Sequence, residues 1–200
     1  MTDELLMRAV RSGDCGQLGR LFERYHAPLF DFLSRTTGDR AASEDLVQDV
    51  FVRILKYRHT YRDDSCFETW MFRIARNARA DYFRRRHSTL TVALDDEAEP
   101  TSTGVDPAEA LERSTNAKRL KRALMRLPDD KRDLLVLARY RGMKYEQIGS
   151  LLEIDVGTVK VRVHRAMKQL RDLFDQLGNS FERKDASCAA KTPSPKLDRR

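Results

Sequence analysis

The stretch Tyr145–Phe174, YEQIGSLLEIDVGTVKVRVHRAMKQLRDLF, decides how the chain is read. At about 100° per residue, Val159, Val163, Ala166, Leu170 and Phe174 fall on one side of a helix. Val161, His164, Arg165 and Lys168 fall opposite. Such a helix is anchored by one face and offers a basic face to a polyanion. Just before it, Ile148, Leu151 and Leu152 space a shorter amphipathic helix over Tyr145–Leu152, and Asp155 has the chemistry to cap the second helix. Two short helices joined by a tight turn, the second one basic, resemble a helix-turn-helix.

Working outward, the 200 residues carry 40% hydrophobic and 34% charged residues, which suits two small helical domains with wide solvated faces. The formal net charge is +7, and its distribution says more than its total. Arg73–His87 holds six arginines against one aspartate, and Gly157–Arg171 holds five basic residues and no acid. Between them, Ser88–Glu112 carries seven acidic residues and no Lys or Arg. Basic blocks flanking an acidic linker favour polyanion binding over a merely solvated surface.

Helical spacing recurs through Leu5–Val10, Leu18–Leu33, Leu46–Leu55 and Phe67–Tyr82, with Gly13, Gly38 and the polar loop Arg58–Ser65 as breaks. Ser43 is the expected N-cap of the third segment, with a merely polar loop residue as the alternative. Prolines, a glycine and small polar residues over Thr91–Pro107 predict a flexible tether. Helical spacing resumes from Leu111 to Leu127, Pro128 stops it, and Asp129 or Asp130 caps a short helix through Ala138. No strand-like alternation of useful length occurs. The expected fold is therefore all-α, with a first domain over 1–87, an acidic flexible linker over 88–112, a helix-turn-helix domain over 113–177 and a disordered tail over 178–200.

With both basic segments placed, the chain resembles an extracytoplasmic-function (group 4) sigma factor of bacterial RNA polymerase. The resemblance rests on DLVQDVFVRIL (Asp45–Leu55), YRDDSCFETWMFRIARNARADYFRRR (Tyr61–Arg86) and LMRLPDDKRDLLVLARYRGMKYEQIGSLLEIDVGTVKVRVHRAMKQL (Leu124–Leu170). A helix-turn-helix alone is common among regulators, whereas this ordered combination is far more specific. Val161 stands where the family often has serine, Gly149 where alanine is common, Glu153 where glycine is frequent and Met167 where a basic residue is usual. These departures bear on which promoter is read.

The resemblance implies partners and roles. Asp45, Gln48 and Asp49 share one helix face and match the surface that docks on the clamp helices of the polymerase largest subunit. Asp45 has a second reading of equal weight, as a helix-start acid that favours the dipole. The loop and helix after Thr60 match the part that captures the minus-10 element. There Tyr61, Arg62, Asp63, Ser65 and Phe67 are the candidates for a pocket around an unstacked base. Asn77 is the candidate to read a base edge, and Arg73, Arg76, Arg84 and Arg85 to contact phosphates. Trp70 reads as core. On the recognition helix, Thr158, Lys160, Val161, Arg162, His164, Arg165 and Lys168 are the candidates for the minus-35 element. Arg165 suits a guanine and Val161 a thymine methyl, against the plainer reading of Val161 as an incidental exposed valine. The acidic linker matches a segment that threads towards the RNA exit path, or is a plain tether.

The implied function is promoter recognition and transcription initiation in complex with core RNA polymerase and promoter DNA, and family members are often held by an anti-sigma factor. The alternative is a helix-turn-helix regulator that never joins the polymerase, which would need neither docking helix nor base-capture loop. An enzyme is disfavoured, because no nucleophile–base pair, carboxylate cluster or phosphate-binding glycine loop is visible. No cofactor is indicated, since Cys15, Cys66 and Cys188 lack metal-ligand spacing and read as free thiols. Without a signal peptide or an apolar run of spanning length, the expected location is the cytoplasm, with no membrane insertion.

Overall fold

The computed structural model describes residues 1–89 and 107–189, with side chains over 1–86 and 115–178. Helix α1 (Asp3–Arg11) is capped by the Thr2 hydroxyl, which accepts the Leu5 N–H, and buries Leu6, Met7 and Val10. Helix α2 (Gln17–Thr37) ends at Gly38, whose φ of 77° is the left-handed C-terminal stop that glycine adopts without a Cβ penalty. Helices α3 (Arg40–Tyr57) and α4 (Phe67–Thr89) complete the first domain, joined by a 3-10 turn at Arg58–Thr60. Their apolar faces converge on Leu29, Phe32, Val50, Ile54, Phe67, Met71 and Phe72, with Phe32 and Phe72 edge to face at 5.2 Å.

The expected cap Ser43 is one turn too late. Helix α3 starts at Arg40, and the Asp39 carboxylate accepts the Ala42 N–H at 3.0 Å. Ser43 is buried instead, donating to the Asp39 carbonyl and bonded to the Thr37 hydroxyl at 2.9 Å. Both residues have cap chemistry; the chain reversal at Gly38 selects the earlier one.

The second domain comprises α5 (Pro107–Met125), α6 (Asp129–Leu135), a π turn (Val136–Tyr140), α7 (Tyr145–Leu152) and α8 (Val156–Ala189). Pro128 takes the N-cap position of α6, so Asp129 and Asp130 lie in its first turn, where acids favour the dipole. Arg132 is 6% exposed and donates to the carbonyls of Leu124, Met125 and Leu127 at 2.7–3.0 Å. These are orphan acceptors at the end of α5, satisfied by a side chain one turn into the next helix. In the π turn the Arg141 N–H reaches the Val136 carbonyl at 3.0 Å, five residues back.

Two expected boundaries move. Helices α4 and α5 both extend into the stretch read as linker, of which 90–106 lies outside the described residues. The tail was expected to be aperiodic from Gly178, yet α8 continues to Ala189; 190–200 lies outside the described residues. Beyond Gly178 the polar sequence to Ala189 contains no proline or further glycine to stop a long helix that is already propagating.

The turn between α7 and α8 explains two departures from the family pattern together. Glu153 closes α7 with φ 57° and ψ 42°, a left-handed geometry costly to a residue with a Cβ. Ile154 returns its N–H to the Gly149 carbonyl at 3.0 Å, and a Cβ on Gly149 would meet the Ile154 carbonyl oxygen at 2.8 Å. Glycine at 149 is thus required by close backbone approach. Glu153→Gly is expected to raise the unfolding free energy by about 0.5–1 kcal/mol, and Gly149→Ala to lower it despite the better helix propensity of alanine. Urea unfolding of both variants checks the pair, and a stabilising Gly149→Ala would refute the contact.

The two domains pack directly on each other. Helix α2 meets α5 and the π turn, and α4 meets α7. Gly38 lies against the Met125 side chain, whose Cε would be 3.0 Å from an added Cβ. Arg35 stacks over the Tyr140 ring at 4.1 Å, and Arg141 reaches Glu68 at 3.4 Å.

Candidate nucleic-acid interface

On the recognition helix α8, Asp155 acts as the N-cap. Its carboxylate accepts the Thr158 N–H at 2.8 Å and the Thr158 hydroxyl. Those two bonds hold its carboxyl below the ordinary range. Val159, Val163 and Ala166 are fully or almost fully buried, and Lys131 of α6 donates to Gln169 at 2.6 Å, so the helix is fixed to its own domain. Lys160, Val161, Arg162, His164, Arg165 and Lys168 are exposed, while Thr158 is half-buried. Val161 is 48% exposed in the middle of this basic face. Seven residues singled out in sequence thus lie along one presented surface.

The base-capture loop differs from expectation. Tyr61 is 1% exposed and Phe67 is fully buried. Tyr61 donates to the Ser65 carbonyl at 2.7 Å, and burial pushes its phenol up to about 12. Its ring stands edge-on to Trp70 at 5.3 Å, and Phe67 packs against Tyr25 at 5.2 Å. These aromatics form the floor under the loop and have no face to offer a base. Tyr61 and Phe67 flank the polar run Arg62–Ser65 in sequence, which made a wall and a core look alike. Arg62, Asp63 and Asp64 are exposed, and Ser65 half-buried. Asp63 is tied down by Arg8 at 3.3 Å and Arg11 at 2.9 Å, and Arg11 also donates to the Tyr61 carbonyl at 2.8 Å. Helix α1 therefore shapes the loop, a role no local motif signals.

On α4, Asn77 is exposed and lines a cavity of ≈ 310 Å³ with Arg53, Tyr57, Ile74, Ala80, Asp81 and Arg84. Arg53 bridges Asp49 at 3.0 Å and Asp81 at 2.6 Å, and Arg84 reaches Asp81 at 3.0 Å. The hydrogen bond from Arg53 is the main reason the Asp81 carboxyl sits below its ordinary range. Asp45 and Gln48 are exposed on α3, whereas Asp49 is half-buried and engaged by Arg53. One charged chain thus links the candidate docking face to the candidate minus-10 helix.

Arg73 and Arg76 are turned towards the second domain. Arg73 donates to the Ser150 carbonyl at 2.9 Å and lies 3.8 Å from Glu153. Arg76 pairs with Asp133 at 3.0 Å, and so does Arg79 at 2.9 Å. Asp133 is 2% exposed and Arg79 4%. Burial pushes the Asp133 carboxyl up, opposed by Arg79 and Arg76. Arg79 and Arg132 both donate to the Thr36 carbonyl, at 3.2 and 2.8 Å, at the C-terminus of α2 where cations are favoured. Arg79, Arg132 and Asp133 were not singled out in sequence. The available signal was an aspartate set directly against the apolar run Leu134–Ala138, where a charge needs a partner.

A family model described as Sigma-70 region 2 matches residues 21–89, and one described as Sigma-70, region 4 matches residues 117–170. The chain is 32% identical over 172 residues to the RNA polymerase sigma factor CarQ of Myxococcus xanthus, covering 86% of this chain and 97% of that one. It is 29% identical to the ECF RNA polymerase sigma-E factor of Escherichia coli K12, covering 85% and 93%. Among solved structures, CnrH in complex with the cytosolic domain of CnrY superposes with a TM-score of 0.63 at 24% identity, over 87% of this chain and 97% of that one. RpoE in complex with the anti-sigma factor NepR from Bartonella quintana gives 0.62 at 22%, over 78% and 96%. At these identities the two structures speak to the fold alone.

Proposed function

The chain belongs to the extracytoplasmic-function branch of the sigma-70 family, factors that join core RNA polymerase and direct it to promoters, and from that premise we propose how its residues divide the work. The division follows the domains 1–87 and 113–177. Asp45, Gln48 and Asp49 dock on the core enzyme. Asn77, Arg62 and Arg84, with Arg73 and Arg76 once freed, hold the minus-10 strand. Thr158, Lys160, Val161, Arg162, His164, Arg165 and Lys168 read the minus-35 element. The observation that carries this reading is the α8 face, basic and exposed, on a helix locked into its domain by Val159, Val163 and Ala166.

The factor catalyses no reaction of its own; bond formation belongs to the polymerase. Its place is the cytoplasm, where its partner works, and among the described residues no helix is long and apolar enough to cross a membrane. Two structural neighbours are held by other proteins, CnrY and the anti-sigma factor NepR, and an anti-sigma factor is the corresponding partner here.

Run-off transcription with core enzyme and a randomised promoter library tests the reading. The chain is expected to select a two-part promoter and to be inert without core. Arg165→Ala should lose about 1–3 kcal/mol of discrimination at one guanine of the minus-35 element, roughly fivefold to 150-fold. Uniform weakening at every base would make Arg165 a phosphate contact instead.

A further inference from the structure

Arg73 and Arg76, proposed above to hold the minus-10 strand, have donors committed to the second domain, whereas the minus-35 face of α8 is open. The asymmetry follows from which surfaces meet. Helix α7 lies on α4, and α6 inserts the Asp133 carboxylate between Arg76 and Arg79. A carboxylate between two guanidiniums presents what a DNA phosphate would, an anionic oxygen, here Oδ2, accepting a charge-assisted N–H bond from each arginine. Arg132, next to it in sequence, crosses the same interface to the Thr36 carbonyl. Arg141 with Glu68 and Tyr140 with Arg35 close the rim.

We propose that Asp133 is an internal stand-in for a minus-10 phosphate, so that the free chain masks its own minus-10 reader while leaving the minus-35 reader exposed. Opening the α4–α6/α7 contact is then a required step before the minus-10 strand can be held. Core enzyme drives it by binding the two domains apart, a population shift towards the open form set by its differential affinity. The inference rests on the reading of Arg73 and Arg76 as strand contacts.

The interface supplies its own test. Gln147 of α7 touches Cys66 of the first domain, Nε2 to Sγ 3.7 Å. In a full-length chain carrying Gln147→Cys, with Cys15 and Cys188 changed to serine, mild oxidation should join position 147 to Cys66 and lock the closed form. Two fluorescent probes taken from the promoter selected above are used, the single-stranded minus-10 segment and the minus-35 duplex. The oxidised chain should bind the minus-10 strand at least about tenfold more weakly than the same chain reduced, and the minus-35 duplex equally well; reductant should restore the first. An Asp133→Asn chain that keeps its helical content by circular dichroism should bind the minus-10 strand more tightly than the parent. Equal minus-10 binding by the locked and reduced chains, or an Asp133→Asn chain that binds the minus-10 strand no more tightly than the parent, overturns the proposal. Unchanged minus-10 binding by a reduced chain with Arg73→Ala and Arg76→Ala would refute the strand-contact reading and, with it, the phosphate mimicry, even where the locked chain is impaired.

Discussion

Arg132→Ala is expected to lower the unfolding free energy of the chain by about 3 kcal/mol or more, more than any substitution on the DNA-facing surface. The guanidinium satisfies carbonyls at Leu124, Met125, Leu127 and Thr36, and lies 3.2 Å from Asp129. Truncation leaves several buried acceptors without a donor, each costing about 1–3 kcal/mol if no water reaches it. Arg132→Lys should recover little, because one ammonium cannot serve acceptors spread around a planar fork. Urea unfolding followed by circular dichroism measures both. A loss below about 1 kcal/mol for alanine would mean that water replaces the guanidinium, and the site is less enclosed than its 6% exposure indicates.

Phe67→Ala should cost about 3–5 kcal/mol, the usual range for emptying an aromatic site in a core. Phe67 is fully buried at the start of α4, packed against Tyr25 and Tyr61. The decisive companion is Phe67→Leu. Leucine restores most of the buried volume but no aromatic face, so both stability and run-off transcription should largely return. Recovery of stability without recovery of promoter opening would instead mean that the ring touches a base.

The contrast between these residues and the recognition helix shows what the amino-acid order makes legible. The α8 face could be read because helical period and charge act within one element: Val159, Val163 and Ala166 go inward, and Lys160, Arg165 and Lys168 are left outside. The all-helical class and the order of the helices were legible for the same reason. Tyr61 and Phe67 were misread because, beside a loop, the identity of an aromatic does not say whether its ring faces solvent or core; that depends on α1 and α2 packing behind it. Ser43 was misread as a cap because Asp39 has the same chemistry, and the turn at Gly38 chose between them. The arginine cluster was hidden for a different reason. Arg76 and Arg79 meet Asp133 across more than fifty residues of chain, and no local period records a contact of that range.

The π turn at Val136–Tyr140 holds one residue more than an α-helical turn would. Removing that one residue would tighten the stretch to an ordinary α-helical turn while the chain beyond it keeps nearly the same direction, because the wide turn covers the same full rotation with one more residue. The π turn thus takes up an extra residue locally, between the apolar run that anchors α6 and the segment that leads into α7. An insertion or deletion at this place is absorbed as a wider or narrower turn, and the packing of α7 and α8 on the rest of the second domain is spared.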